Sequence, residues 1–208
     1  MDSLTSKTYA DDVSLLMVLM DANPFSWDSL KSAFPFSNFL SHVVSFLNAI
    51  LLLNPLNHVV VIATGFSYCD FIFDSTTSQN QSQHCGETLL QRLEEFVEKD
   101  ESMCRVSSVH GSCFSLLSGS LSMALCYIQR IFRTGNRHPQ PRILCLHGSP
   151  DGPGQYIAIM NSIFSAQRLM VPIDSCLVGA EHSAFLQQAS HITRGVYLKP
   201  QIPPDGLS

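Results

Sequence analysis

The amino-acid sequence predicts a Rossmann-like α/β fold, in which a mostly parallel six-stranded sheet lies between two layers of helices. Short apolar runs alternate with amphipathic segments that are long enough for helices, and this order is typical of such folds. The first run, from Ser14 to Met20, is apolar at six of its seven positions, as in a parallel strand covered on both faces. It leads directly into Asp21. Asp21 is therefore expected at the carboxyl edge of the sheet, where ligands and partners bind. The simpler interpretation is that Asp21 caps the following turn at Asn23-Pro24.

Composition limits the class of protein. The 208 residues suffice for one α/β domain with a full core. Charged residues make up only 14% against a typical ~25%, which indicates that another protein covers part of the surface. The net charge of −5, without a Lys/Arg cluster, argues against direct nucleic-acid binding. No run reaches the ~18 apolar residues of a membrane helix. The seven cysteines form no C-x-x-C pair and are interpreted as reduced thiols of an intracellular protein.

Helices are predicted where apolar residues recur every three or four positions. The segment Phe25–Pro35, which contains the single tryptophan Trp27, is predicted to be an aromatic loop before the first helix. Ser37 is expected to cap that helix. The clearest pattern is the stripe of Leu121, Leu125, Ile128 and Phe132, which predicts core packing. The predicted helices are residues 37–53, 87–99, 116–133, 155–167 and 181–191.

Strands are predicted where short apolar runs are bounded by turn residues. The run Phe71–Phe73 follows the preceding strand so closely that antiparallel pairing is expected. Pro172 lies inside another run and suggests an edge strand or a bulge. Residues 74–86 are predicted to be a mobile loop, residues 1–12 a flexible N-terminus, residues 13–199 one domain and residues 200–208 a polar tail. The predicted strands are residues 14–20, 58–63, 71–73, 142–146, 170–178 and 195–198.

Few residues point to catalysis. The turn after the first strand lacks G-x-G-x-x-G, and neither a P-loop nor a complete G-x-S-x-G elbow occurs in the sequence. Cys113 and His147 leave a Cys/His hydrolase open, although a buried thiol and a surface imidazole are the simpler interpretation. No histidine or cysteine spacing indicates a transition-metal site.

A site for a hard cation such as Mg²⁺ is the remaining chemical option. The order of elements resembles von Willebrand A domains, which use D-x-S-x-S after the first strand, a threonine before a central helix and a later aspartate. Asp21 matches the first acid, but Asn23 and Phe25 stand at the two serine positions. The threonine position falls on Leu116, and Asp151 is the candidate for the last acid. The cation site is therefore predicted to be degenerate, with no metal bound.

Five blocks of sequence resemble a particular family, subunit 3 of general transcription factor IIH (TFIIH). The resemblance extends from Ser14 to Lys199 and is most specific around Ala124 and Ala189. The blocks are residues 21–27, 117–130, 161–167, 173–176 and 186–199.

This resemblance implies a non-catalytic scaffold in the nucleus that serves RNA polymerase II initiation and nucleotide excision repair. Its implied partners are the 44-kDa TFIIH subunit, bound through that subunit's zinc-bearing domain, and other core subunits. The family continues after the Tyr197-Leu198-Lys199 segment with a further helix and a four-cysteine zinc domain. Since neither is present here, the chain is expected to be truncated, to carry no cofactor itself, and to expose the sheet face that the helix would cover.

A docking site is predicted in the aromatic loop, with Trp27, Phe25 and Phe34 as candidate contact residues, because tryptophan is enriched in interface hot spots. The alternative, rated equally, is that Trp27 folds back onto the core. A different class of function also stays open, namely a Rossmann-like enzyme or a metal-dependent binding domain that uses Asp21, Asp151 and His147.

Overall fold

Six strands form one sheet in the order β3-β2-β1-β4-β5-β6. All neighbouring strands are parallel except β2 and β3, which pair antiparallel, so the predicted mixed sheet is confirmed. The computed structural model describes residues 14–30, 34–76, 85–106, 114–134, 139–178 and 182–200. Residues 1–12 and 201–208 lie outside this part, so the predicted terminal segments stay predictions. The strands are β1 Ser14–Asp21, β2 His58–Thr64, β3 Cys69–Asp74, β4 Gln140–His147, β5 Ile173–Leu177 and β6 Tyr197–Leu198.

Helices cover both faces of the sheet, because side chains of a strand alternate between the two. On β1, Leu15, Met17 and Leu19 point into one core, while Leu16, Val18 and Met20 point into the other. The helices are α1 Pro24–Leu30, α2 Phe36–Leu53, α3 Cys85–Val106, α4 Leu117–Thr134, α5 Tyr156–Arg168 and α6 Ala184–Thr193.

The first face of the sheet is packed by α4, α5 and α6. The predicted core stripe of α4 is confirmed, because Leu121 and Ile128 are 0% exposed and Leu125 is 7% exposed. Its neighbours include Ile159 and Ile163 of α5, which are buried in the same core. This face gives the domain its continuous hydrophobic layer.

The second face is packed by α1, α2 and α3 mainly over β1, β2 and β3. Two adjoining cavities of about 430 and 450 Å³ lie beyond α2, over β4 and β5. Both are lined by Phe46, Leu144 and Cys176. Within the described residues, this part of the sheet is therefore open. Its coverage by a further helix stays a prediction.

Two expectations about helix starts are wrong. Residues Pro24–Leu30 form helix α1 within the segment predicted to be a loop. Proline is compatible with the first helical position, where its missing N–H has no partner to lose. The side-chain oxygen of Asn23 accepts from the Phe25 N–H at 3.1 Å, so Asn23-Pro24 starts a helix. Helix α2 begins after Pro35 without a side-chain cap bond, so Ser37 is not its cap.

Other boundaries also differ from the prediction. Strand β5 begins after Pro172, whose carbonyl accepts from the Ile143 N–H at 3.0 Å, so no bulge or edge strand is needed. Helix α3 extends to Val106, seven residues past its predicted end at residue 99. Helix α6 begins at Ala184 because the Ser183 hydroxyl caps it. The predicted loop 74–86 lies largely outside the described residues.

Helix α2 is long and apolar enough to cross a membrane by length and composition, with a mean hydropathy of 1.6 over 18 residues. The sequence was expected to contain no such segment. In the structure, only 28% of that helix window is buried. Val43, Leu47 and Leu51 pack into the core of the second face, whereas Leu52 and Leu53 are 73% and 79% exposed. Core packing therefore accounts for one side of α2 and not for its exposed leucines.

Candidate functional site

Asp21 lies at the carboxyl edge of the sheet, as predicted, and its side chain is enclosed. Strand β1 pairs with β4 so that Asp21 follows Met20, whose partner is Leu146. This register places the carboxylate of Asp21 beside the turn after β4. Asp21 is 1% exposed, so its charge is removed from bulk water.

The carboxylate of Asp21 is satisfied by backbone donors. Its Oδ2 accepts from the N–H groups of Gly148 at 3.0 Å and Ser149 at 2.7 Å. Its Oδ1 accepts from the Asn23 N–H at 3.1 Å. His147 is 4% exposed, so the interpretation of its imidazole as a surface group is wrong, and its Nδ1 atom lies 3.4 Å from Oδ2. These contacts make Asp21 a connector between β1 and β4, since a buried carboxylate is tolerated when hydrogen bonds replace its water.

The positions that would supply serine hydroxyls to a cation are also engaged internally. Asn23 is fully buried, and its side-chain nitrogen lies 3.4 Å from the Ser149 hydroxyl. That hydroxyl also forms a 2.7 Å hydrogen bond with Ser26. Phe25 has no side-chain oxygen to offer. The oxygens around Asp21 therefore hold two loops together, and the absence of a metal stays a prediction with this physical basis.

Asp151 has a different task from the one predicted for it. Its carboxylate accepts from the Ser183 hydroxyl and, at 3.1 Å, from the Phe185 N–H. Both donors belong to the start of α6, where a negative charge is favoured by the helix dipole. Among the described residues, no group of three or more His, Cys, Asp or Glu side chains is arranged to hold a metal ion.

Three of the described cysteines, Cys69, Cys145 and Cys176, are not activated as nucleophiles. Burial, with a smaller contribution from Asp100, raises the pKa of the Cys69 thiol to about 12. Burial also raises the pKa of the Cys145 thiol to about 12, and it raises the pKa of Cys176. Such thiols stay protonated near neutral pH, and the thiol is a poor nucleophile. Cys113, the predicted hydrolase candidate, lies outside the described residues.

Leu116, at the threonine position, contributes only its backbone to this edge. Its N–H donates to the Gly65 carbonyl at 2.8 Å, and its carbonyl accepts from Cys69 Sγ at 3.4 Å. These bonds hold the start of α4 against the loop between β2 and β3. The segment is positioned as a von Willebrand A fold requires, without a side-chain ligand.

The structure favours the alternative in which Trp27 folds back onto the core. Trp27 is 5% exposed, and its Nε1–H donates to the Asp21 carbonyl at 2.8 Å. Its ring lies 4.6 Å from that of Phe39 and 4.9 Å from that of Phe36, measured between centroids. A side chain so enclosed presents little surface to a partner, because its area is already buried.

The other two predicted contact residues keep some exposure. Phe25 is 41% exposed and meets Phe66 edge to face at 5.7 Å between ring centroids. Phe34 is half-buried and stacks on His42 at 6.1 Å. A partner contact at this edge stays a prediction, with Phe25 as its most accessible member.

Sequence reasoning missed Asp100. Its buried carboxylate accepts from the N–H groups of Phe66 and Ser67, both at 3.0 Å. A Cβ atom at Gly65 would lie 2.3 Å from Asp100 Oδ2, so the turn requires glycine at this position. The signal was available, because Asp100 continues the helical stripe of the buried Leu93 and Phe96. An acid on an apolar stripe indicates a partner across the core.

Comparison with known proteins gives one consistent family. The profile of the family described as "Transcription factor Tfb4" matches residues 13–207. The TFIIH subunit TFB4 of Arabidopsis thaliana, named a general transcription and DNA repair factor, is 59% identical, over 100% of this chain and 71% of that protein. General transcription factor IIH subunit 3 of Dictyostelium discoideum is 37% identical over 80% of this chain and 49% of its own length.

Solved structures show the same fold. The TFIIH p34 N-terminal domain superposes with a TM-score of 0.73 at 24% identity, covering 94% of this chain and 95% of that domain. The SpRpn10 VWA domain superposes with a TM-score of 0.58 at 15% identity, covering 93% of each chain. The predicted von Willebrand A-like architecture is thereby confirmed.

Proposed function

This chain belongs to the Tfb4 family, and from that premise we propose that it acts as the von Willebrand A-like subunit of the TFIIH core. Its role is in transcription initiation by RNA polymerase II and in nucleotide excision repair. The support is a family match over 13–207 together with relatives named as subunits of a transcription and DNA repair factor. Localisation in the nucleus follows from this role.

The role proposed for the domain is that of a non-catalytic scaffold. The observation that carries this proposal is that both oxygens of the Asp21 carboxylate accept hydrogen bonds from the backbone N–H groups of Asn23, Gly148 and Ser149. A carboxylate committed in this way holds the edge of the sheet in one shape. A rigid, internally bonded edge suits a scaffold, because a metal-dependent reaction would need those oxygens for the ion.

The 44-kDa TFIIH subunit is the proposed partner, bound through its zinc-bearing domain. Several large apolar side chains are exposed on the described surface, among them Ile157 at 73% and Phe164 at 49%. These two side chains are seven residues apart on one face of α5, and contiguous exposed apolar surface marks interaction sites in soluble proteins. The zinc of the family is proposed for the domain that follows in longer members.

Co-expression with the 44-kDa subunit tests this function. The two proteins are expected to co-purify at equal stoichiometry, and no complex should form with an unrelated von Willebrand A domain in place of this chain. The metal-dependent alternative predicts that millimolar Mg²⁺ raises the melting temperature through binding to the native state. Such a rise, abolished by Asp21→Asn, together with failure to co-purify, would overturn the scaffold proposal.

A further inference from the structure

A groove between α4 and α5 combines an apolar floor with arginine side chains. Its volume is about 630 Å³, within the ~300–1,000 Å³ common for binding pockets. Leu125 and Leu169 form apolar parts of its lining. The lining also includes Arg130, Arg133, Ser165 and Arg168.

The charge of this groove is opposite to that of the chain. The chain carries a net charge of −5 and only 12 Lys and Arg residues, yet three of those residues line this one groove. No aspartate or glutamate is among its described lining residues. The groove is therefore a local positive site on an acidic protein, and it favours a negatively charged occupant.

The arginines are held by the two helices at the groove. Arg133 lies in the last turn of α4 and Arg168 in the last turn of α5, and both are exposed. The Arg130 guanidinium lies 4.8 Å from the centre of the Tyr127 ring, which orients it by a cation–π contact. Arginine presents its donors in a planar fork that matches a carboxylate in two hydrogen bonds.

Stabilising the negative ends of two helices accounts for the positions of Arg133 and Arg168, but it does not account for the apolar surface beside them. On α5, Ile157, Phe164 and Arg168 fall on one outward stripe, with spacings of seven and four. Ile157 and Phe164 are 73% and 49% exposed. A helix whose inner face is already buried gains nothing within the domain from a second apolar stripe.

We infer that the α4–α5 groove binds an acidic segment of a protein partner. The apolar side chains of that segment pack on the groove floor, and its carboxylates pair with the arginines. This inference rests on the proposed scaffold function and names the surface that serves it. The charge complementarity selects an acidic segment, and the apolar floor selects a peptide over a phosphate backbone. A protein of net charge −5 with three arginines at the site lacks the positive surface typical of nucleic-acid binding.

The test uses the 208-residue chain and measures its affinity for the purified 44-kDa subunit. Arg133→Glu and Arg168→Glu should each weaken binding by at least about tenfold, and the neutral Arg133→Gln and Arg168→Gln by less. Phe164→Ser should weaken it by at least about fivefold through lost apolar contact. Affinity should also fall steeply with added salt in the wild type and less steeply in the arginine variants.

One variant is a matched control, and another tests the competing contact site predicted at Phe25. Arg92→Glu alters charge equally at an exposed position of α3 and should leave the affinity unchanged. Phe25→Ser removes a ring of similar exposure at the carboxyl edge of the sheet. The melting temperatures of all variants are measured as well, so that a loss of affinity can be separated from a loss of stability. If the two arginines only offset the helix dipoles, their substitution should lower stability and leave the affinity per folded molecule unchanged.

Failure of the groove is distinguishable from failure of the proposed function. If Phe25→Ser abolishes binding while Arg133→Glu and Arg168→Glu retain it, the partner binds at the carboxyl edge and the groove inference is wrong. Equal binding by every variant would overturn it as well. If the 44-kDa subunit does not bind the wild type, the choice of that partner fails, and a probe independent of it decides the groove.

That probe is a synthetic peptide rich in Asp and Glu with two leucines, titrated into the ¹⁵N-labelled chain. Saturable shifts at Leu125, Arg133, Ser165 and Arg168, absent with the Asn/Gln version of the peptide, would support the groove. No shifts at those residues, or equal shifts with the neutral peptide, would contradict it. Tighter binding of a short DNA duplex than of the peptide at the same residues would also contradict it.

Discussion

The two faces of the sheet receive the same strands but different coverage. On the first face, α4, α5 and α6 form a continuous layer whose core includes Leu121, Ile128 and Ile163, all 0% exposed. On the second face, α1, α2 and α3 cover the β1–β3 side, while cavities remain over β4 and β5 beside Phe46. The apolar strands therefore predict that both faces of the sheet are buried, but they do not indicate which segment of a chain packs on each face.

This difference divides the apolar surface of the domain into packed and open parts. Burial of a large apolar side chain contributes roughly 1.5–3 kcal/mol, so a face left open forgoes several such contributions. Substitutions on the packed parts should be costly in this chain, and those beside the cavities should be tolerated. The effects of substituting Trp27, Leu121 and Phe46 compare the packed parts with the open part, and a smaller effect is expected at His58.

Trp27→Ala should lower the free energy of unfolding the most, because it removes a large buried ring from the covered part of the second face. Loss of a buried tryptophan typically costs about 3–5 kcal/mol, and the hydrogen bond to the Asp21 carbonyl is lost as well. Chemical denaturation of wild type and variant measures the change in the free energy of unfolding. An unchanged stability with weaker partner binding would instead make Trp27 an interface residue.

Leu121→Ala should cost about 2–5 kcal/mol, since it opens a cavity in the first face. Leu52, on α2, is 73% exposed and provides a matched control, with an expected change for Leu52→Ala within about 0.5 kcal/mol. Urea unfolding followed by circular dichroism gives both values. Similar costs for the two leucines would show that the packing of the first face does not differ from the surface of α2.

Phe46→Ser should cost only about 1 kcal/mol or less, because Phe46 is 39% exposed and borders the open part of the second face. The same substitution should cost more in a longer chain that includes the helix implied by the family resemblance. Thermal unfolding of both lengths, each with and without the substitution, gives the comparison. Equal costs at the two lengths would show that the helix does not cover Phe46.

His58, at the start of β2, should make a small, pH-dependent contribution. Burial lowers its pKa below 6.5, and the opposing effect of Asp74 is smaller. Protons therefore bind the unfolded chain preferentially, and stability should fall as the pH drops through 6.5 towards the lower folded-state pKa. Unfolding at about pH 8 and about pH 5.5 should show a smaller loss in His58→Gln than in the wild type. Identical losses would rule out His58 as the source.

The candidate site was predictable in position and only partly in detail. Asp21 could be placed at the carboxyl edge because a buried strand ends there. The hydrogen bonds from Gly148 and Ser149 could not be predicted, since they depend on the pairing of β1 with β4 across more than a hundred residues. Asp151 shows most clearly what the sequence could not indicate, because its carboxylate binds the start of α6, a helix that begins more than thirty residues later.

The α/β class, the antiparallel β3, the core stripe of α4 and the family were all predictable from the amino-acid sequence. These properties rest on local periodicity and on blocks of residues, which can be recognised one segment at a time. Three other features emerge only from the packed domain: Trp27 is enclosed, Asp100 holds the Gly65 turn, and arginines from α4 and α5 share one groove. Each of these depends on distances between segments far apart in the chain, and those distances are set by how helices pack on the two faces of the sheet.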